Sequence, residues 1–391
     1  MTYKYQLIFL GQQSQIRDEI STLLNERLKQ LNLPEDYITI LDSSSIDCYK
    51  GNMPTFAIYI GGQKHCQKDK DIVTNLLKDG VMILPIYFES FGEEIPEFLS
   101  NQNGKQYCES ENDCIVNIIL EAFELLRSSR KIFISYRRLE SRSAAIQLYE
   151  ALEEKNFDVF LDTHSIRPGE AFQDELWHRM TDCDVIVLLN TKGFLDSHWC
   201  KDEFAEAATK QIGIVQLVWP DHKVDKIANS SHISLPIQLS ESDFENQSFG
   251  IKDQSRLTTS AVDQVAVSVE SIRARNLAAR QDNLITEFLN FAKKYNRDIH
   301  LQPEKFLTEE LSDKGVIIYI PAIGIPQSTT YQSAEIKKTL REYEDISIRI
   351  IYDDLRIRDK WLQHLDWLNE NLKTDIKTLK KKDFDLWLQQ K

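Results

Sequence analysis

The feature that most constrains this chain is a regular alternation of short apolar runs with amphipathic segments. Between Lys131 and Pro220 the runs "KIFIS", "DVFLD", "VIVLLN" and "IGIVQLVWP" are separated by "SAAIQLYEALEEKN", "AFQDELWHRMTDC" and a segment containing "FLDSHWCKDEFAEAA". Short apolar runs bounded by turn residues read as buried strands, and the segments between them place apolar residues at helical spacing. Alternation of this kind predicts a parallel sheet covered by helices on both faces.

A similar order of elements recurs on either side. Upstream lie the runs "YQLIFLG", "YITILD", "TFAIYIGG" and "VMILPIYF" with helical stretches among them. Downstream, a long helical stretch from "SAVDQ" to "KKYN" leads to "GVIIYIPAIG", "ISIRIIYD" and the helix "DKWLQHLDWLNENL". At roughly 100–200 residues per domain, 391 residues fit several units. The expected division is an α/β unit over 1–127, a central α/β domain over 128–265, and a long helix plus a C-terminal α/β unit over 266–391. The polar segment between Trp219 and Gly250 reads as a loop or a surface strand.

Composition excludes several function classes. A net charge of −14 opposes a polyphosphate partner, so nucleic acid is not expected. The six cysteines form no CxxC pair and have no matching histidine cluster, so neither zinc nor a disulfide framework is expected. Membrane insertion is not expected either, because no run approaches the roughly 18 apolar residues of a spanning helix. The opening "MTYKYQLIFLGQQ" reads as a strand rather than a signal peptide, so the expected location is cytoplasmic. The cluster Lys377, Lys380, Lys381 and Lys382 reads as a solvated helix end, and Trp361 and Trp367 read as core residues of an amphipathic helix.

In open parallel sheets ligands bind beyond the carboxyl ends of the strands. Three segments of the central domain belong to that rim: Tyr136, Arg137, Arg138 and Glu140; the loop Thr163 to Phe172; and the stretch around Trp199 and Glu203. Ser197 is a suitable helix cap, and Trp199 and Glu203 sit four residues apart on one helix face. An indole beside a carboxylate suits a flat heteroaromatic group and a sugar, although the same spacing also fits a core-edge tryptophan and a solvated glutamate. Arg137 and Arg138 suit a diphosphate or surface ion pairs, and Gly169 suits a close approach or a plain turn. Trp219 reads as packing, and His164 and His198 as surface residues.

The succession "FISYRR", "FDVFLDTHSIRPGEAFQDELWHRMTDCDVIVLLN" and "SHWCKDEF" resembles the Toll/interleukin receptor (TIR) domain, in particular the NAD-cleaving members of the bacterial type. The resemblance covers about residues 129–265. It implies a flavodoxin-like parallel sheet for the central TIR domain, flanked by two smaller TIR-like α/β units that are non-catalytic. It further implies an NAD glycohydrolase or ADP-ribosyl cyclase, with Glu203 catalytic and with Ser135, Tyr136, Arg137, Arg138, Ser165, Gly169, Phe172 and Trp199 bordering the substrate. NAD is then a substrate and no cofactor or metal is needed. Self-association through TIR domains, an activator or effector protein, and a role in antiphage defence or immune-type signalling are the further implications. A non-catalytic TIR adaptor and a nucleotide-binding sensor are the alternatives.

Overall fold

The computed structural model describes residues 5–12, 15–31, 33–34, 36–51, 53–62, 68–161, 172–194, 210–220, 222, 234–249, 254–302, 305–311, 315–339 and 345–390. These residues hold three five-stranded sheets, each covered by helices. The chain divides into two compact units, Met1–Ser128 and Ser129–Lys391, so the second and third sheets share one body.

In the first unit, β1 (Tyr5–Gly11), β2 (Ile38–Asp42), β3 (Thr55–Ile60), β4 (Met82–Tyr87) and β5 (Lys105–Gln106) are all parallel, in the order β2-β1-β3-β4-β5. Every residue of β1 is buried, which explains why its sequence does not alternate and is apolar but for Gln6, whose amide is bonded to Lys50 and Thr55. Helix α1 (Gln15–Gln30) buries Ile16, Ile20, Leu24 and Leu28, one residue per turn, and α2 (Lys70–Lys78), α3 (Phe91–Glu94) and α4 (Asn112–Ala122) follow it in this unit. Gly11 ends β1 at φ +83, where a Cβ would lie 2.2 Å from the Ile60 carbonyl oxygen, so only glycine fits the turn.

The central sheet repeats that order. β6 (Lys131–Ser135), β7 (Asp158–Leu161), β8 (Val185–Asn190), β9 (Gly213–Val218) and β10 (Ser234–Gln238) are parallel and run β10-β9-β8-β6-β7. Helices α5 (Arg138–Glu154) and α6 (Phe172–Asp182) supply two of its crossovers. The surface-strand reading of the polar segment after Trp219 holds for β10, which pairs with β9 at the sheet edge. Side-chain alternation divides the sheet cleanly: Val185, Val187 and Leu189 face one core, whereas Ile186 and Leu188 join Phe133, Leu176 and Met180 in the core beneath α6.

A 36-residue helix, Thr259–Lys294, joins the central sheet to the third. Its first half buries Ala261, Val265, Val269 and Ile272 in the central core, and its second half buries Leu284, Ile285 and Phe288 against Ile317, Tyr319 and Ile351. The expected boundary at residues 265 and 266 lies inside this helix. Two buried ion pairs, Arg273 with Asp184 at 2.7 Å and Arg130 with Glu270, bind the helix to the amino end of the central sheet.

The third sheet runs β11 (Ile299–Leu301), β12 (Leu307–Glu310), β13 (Gly315–Ala322), β14 (Asp345–Tyr352), β15 (Ile376–Lys380) in sequence order. Its first three strands are antiparallel and its last three parallel, so it departs from the flavodoxin-like order of the other two. The cause lies in the connections. The short links before β12 and β13 cannot contain a crossover helix, whereas the helices Ser328–Thr339 and Asp359–Asn371 return the chain in parallel. The lysine cluster is not a helix end. Lys377 and Lys380 belong to β15, and Lys380, Lys381 and Lys382 pair with Asp366, Glu287 and Asp354.

Candidate active site

The strand order of the central sheet reverses at β6: β7 lies on one side and β8 on the other. The carboxyl ends of β6 and β8 therefore flank a topological switch point, the place where open α/β sheets leave a crevice. Ser135 ends β6 in register with Leu188, and β8 continues two residues further to Asn190.

Period-two alternation puts Ser135, Asn190 and Gln216 on the α6 face of three adjacent strands, since they follow Phe133, Leu188 and Ile214 of the core beneath α6. All three are buried, Asn190 fully. Among the described residues, neither amide atom of Asn190 has a hydrogen-bond partner, nor does Gln216 Oε1, nor the Thr191 hydroxyl that follows. An unmet buried polar group costs about 1–3 kcal/mol, so such a group at a strand-end crevice marks a position suited to a polar ligand.

Above this row, Glu140 holds two segments together. One carboxylate oxygen pairs with Arg137, and the other accepts from the Gly193 backbone N–H at 3.2 Å. A Cβ on Gly193 would sit 1.6 Å from Arg137 Nη1, so the glycine lets the guanidinium lie against the loop after β8. One turn into α5 the helix is kinked at Ser141 (φ −135, ψ 22), a fully buried residue whose hydroxyl reaches the Arg137 carbonyl oxygen at 3.4 Å.

Of the residues expected from the sequence, Ser135 and Arg137 stand at this switch point. Tyr136 is buried in the apolar core with Ala144 and Leu148. Arg138 begins α5 and Phe172 begins α6, placing both backbones at helix starts while their side chains fall outside the described residues. Ser165, Gly169, Trp199 and Glu203 also lie outside the described residues. Trp219 packs as expected: its Nε1 donates to the Phe249 carbonyl oxygen at 3.0 Å and its ring meets Phe244 edge-on. Sequence reasoning passed over Asn190, Gln216 and Gly193. A lone amide ending "VIVLLN" or interrupting "GIVQLV" carries no signal until the strands are set side by side.

Among the described residues no three His, Cys, Asp or Glu side chains are grouped to hold a metal ion, and no helix is long and apolar enough to cross a membrane. A family model for the TIR domain matches residues 132–250. A probable 2′ cyclic ADP-D-ribose synthase, BdTIR of Brachypodium distachyon, is 24% identical over 160 residues, covering 37% of this chain and 71% of that protein. A solved structure assigned as a tagatose-6-phosphate ketose/aldose isomerase from Clostridium novyi NT is 11% identical. It covers 71% of this chain and 79% of its own, but its TM-score of 0.19 is too low to bear on fold or function. With the sheet order and the family match in agreement, residues 132–250 are a TIR domain.

Proposed function

We propose that the TIR domain cleaves the bond between nicotinamide and ribose in NAD, as an NAD glycohydrolase or an ADP-ribosyl cyclase. The observation that carries this reading is the topological switch point between the carboxyl ends of β6 and β8, with the unmet amide of Asn190 and the unmet Gln216 Oε1 on one face of the sheet there, inside the span matched to the TIR domain. The similarity to a cyclic ADP-ribose synthase supports the same chemistry.

In NAD the leaving group is a pyridinium that departs as neutral nicotinamide, so no general acid is required. Positive charge grows on the ribose as the bond stretches, as in glycoside cleavage, and one carboxylate placed against the sugar can stabilise it. Glu203 is the carboxylate we assign to that role, with Trp199 beside the nicotinamide. Ser135, Asn190 and Gln216 offer hydrogen bonds to the amide and hydroxyl groups of the dinucleotide, and the Arg137–Glu140–Gly193 clamp fixes the loop above them. Arg138 and the loop containing Ser165, Gly169 and Phe172 complete the border. We further assign the protein a cytoplasmic role in antiphage defence or immune-type signalling, with activity controlled by TIR self-association or by an effector protein.

Incubation of micromolar protein with NAD, with chromatographic separation of products, tests the reading. Release of nicotinamide is expected, with a rate lower by on the order of 10²–10³ for Glu203→Gln. Intact NAD with both proteins, at concentrations that favour association, would return the domain to an adaptor role.

A further inference from the structure

A cavity of about 680 Å³ lies within the second unit, between α6 of the TIR domain and the helices Ser328–Thr339 and Asp359–Asn371 of the C-terminal sheet. It is separate from the switch point: its TIR wall is made by Lys131, His178, Arg179 and Asp182, at the amino end of β6 and the last turns of α6. A volume in the range of roughly 300–1,000 Å³ is that of small-molecule sites.

The walls specify the ligand's chemistry. Trp361 stays 40% exposed although helical spacing marks it for a core, and its indole lies nearly parallel to the buried His178 ring, 5.8 Å between centroids at 20°. His364 meets the same indole edge-on. Burial holds the His178 imidazole down to a pKa of about 4, so it is neutral, and its Nδ1 accepts from the Arg358 backbone N–H at 3.4 Å. The aromatic wall is thus uncharged on the His178 side, a π surface on which a planar ring can stack. Leu365, Leu368 and Ile376 supply apolar surface, and Tyr331, raised in pKa chiefly by burial, remains a phenol donor.

At the mouth, Arg179 commits its Nε to Glu175 at 2.9 Å and is half exposed. Its terminal nitrogens make no hydrogen bond among the described residues and are suited to an anionic oxygen. Lys131 and Asp182 neutralise one another, and Asp182 also accepts from the Ile325 backbone N–H at 2.9 Å, which ties the cavity floor to the C-terminal sheet.

We infer that this cavity binds a mononucleotide, with the base against Trp361 and the phosphate at Arg179. The inference stands apart from the NAD-cleavage reading. Because three of its lining residues belong to α6, whose first residue is Phe172, occupancy bears on the helix that follows the Thr163 to Phe172 loop.

Titration calorimetry on the full chain carrying Glu203→Gln, with AMP and with adenosine, tests it. Both ligands are expected to bind, AMP the more tightly. Trp361→Ala should weaken both by roughly tenfold or more, the loss of one ring contact and its buried area. Arg179→Gln, a substitution at a half-exposed position, should weaken AMP by a similar factor and leave adenosine unchanged. No heat with either ligand at millimolar concentration overturns the inference. So does binding that is the same in wild type and in both variants, since it would then occur elsewhere, including the switch point.

Discussion

The Gly193 backbone N–H donates to Glu140 Oε2 across 3.2 Å, and the same carboxylate pairs with Arg137, so a single acid ties the turn after β8 to the start of α5. Gly193→Ala would press a methyl group on the Arg137 guanidinium, the far end of a flexible side chain that can swing aside. The half-exposed ion pair contributes about 0–1 kcal/mol, so stability should fall by no more than that. NAD cleavage should fall roughly tenfold in kcat/KM, the consequence of about 1.4 kcal/mol lost from positioning. Equal activity in the variant would show that the clamp plays no part in the site.

Asn190 is fully buried with both amide atoms unmet. Asn190→Leu removes that cost while keeping a similar shape, so thermal denaturation of the free protein should show a gain of about 1–3 kcal/mol. On the proposed function, KM for NAD should rise at least about tenfold, because the polar contact assigned to Asn190 would be lost. A variant that is less stable and fully active would mean that the amide serves the fold alone.

Arg273 and Asp184 are both wholly inaccessible to solvent and meet at 2.7 Å. Arg273→Ala strands a buried carboxylate, and urea denaturation should report a loss of about 3–5 kcal/mol. Replacing both partners, as Arg273→Met with Asp184→Leu, should recover most of it. If the double variant is no better than the single one, the charges are not what the helix needs.

His178 couples α6 to the C-terminal sheet as a neutral ring, its pKa lowered by burial from 6.5 to about 4. Its contribution is fully present above pH 6.5, the unfolded value, and drains away as the pH falls towards 4, because the unfolded chain takes up the proton first. The loss over that window is about 3 kcal/mol. In His178→Gln, stability measured from pH 7 to 4 should decline less steeply; parallel curves for the two proteins would assign the acid sensitivity to other groups.

Much of this architecture was legible in the sequence because its strands are buried on both faces. β1, β6, β8 and β13 are apolar but for Gln6 and the strand-end residues Lys131, Ser135 and Asn190, the pattern expected of strands between covered faces. β11, β12 and β15 were not legible. They are short and mixed in polarity, and their lysines and glutamates find partners only through the folded sheet, as Arg297 does with Glu309. Trp361 and Trp367 show the limit of periodicity. Their spacing marks an apolar helix face, yet they are 40% and 55% exposed, since spacing cannot say whether that face meets a neighbour or a hollow. At the switch point the arginine after β6 could be read from its place behind a strand. The polar row of Ser135, Asn190 and Gln216 arises only from the register of three strands distant in the chain.

The helix Thr259–Lys294 is one wall of two cores. Any trimming inside it would strip apolar side chains from both sheets at once, so the C-terminal tail is no detachable cassette. The two sheets should melt together, in a single calorimetric transition, and any disturbance that loosens one end of this shared rod will be felt at the other.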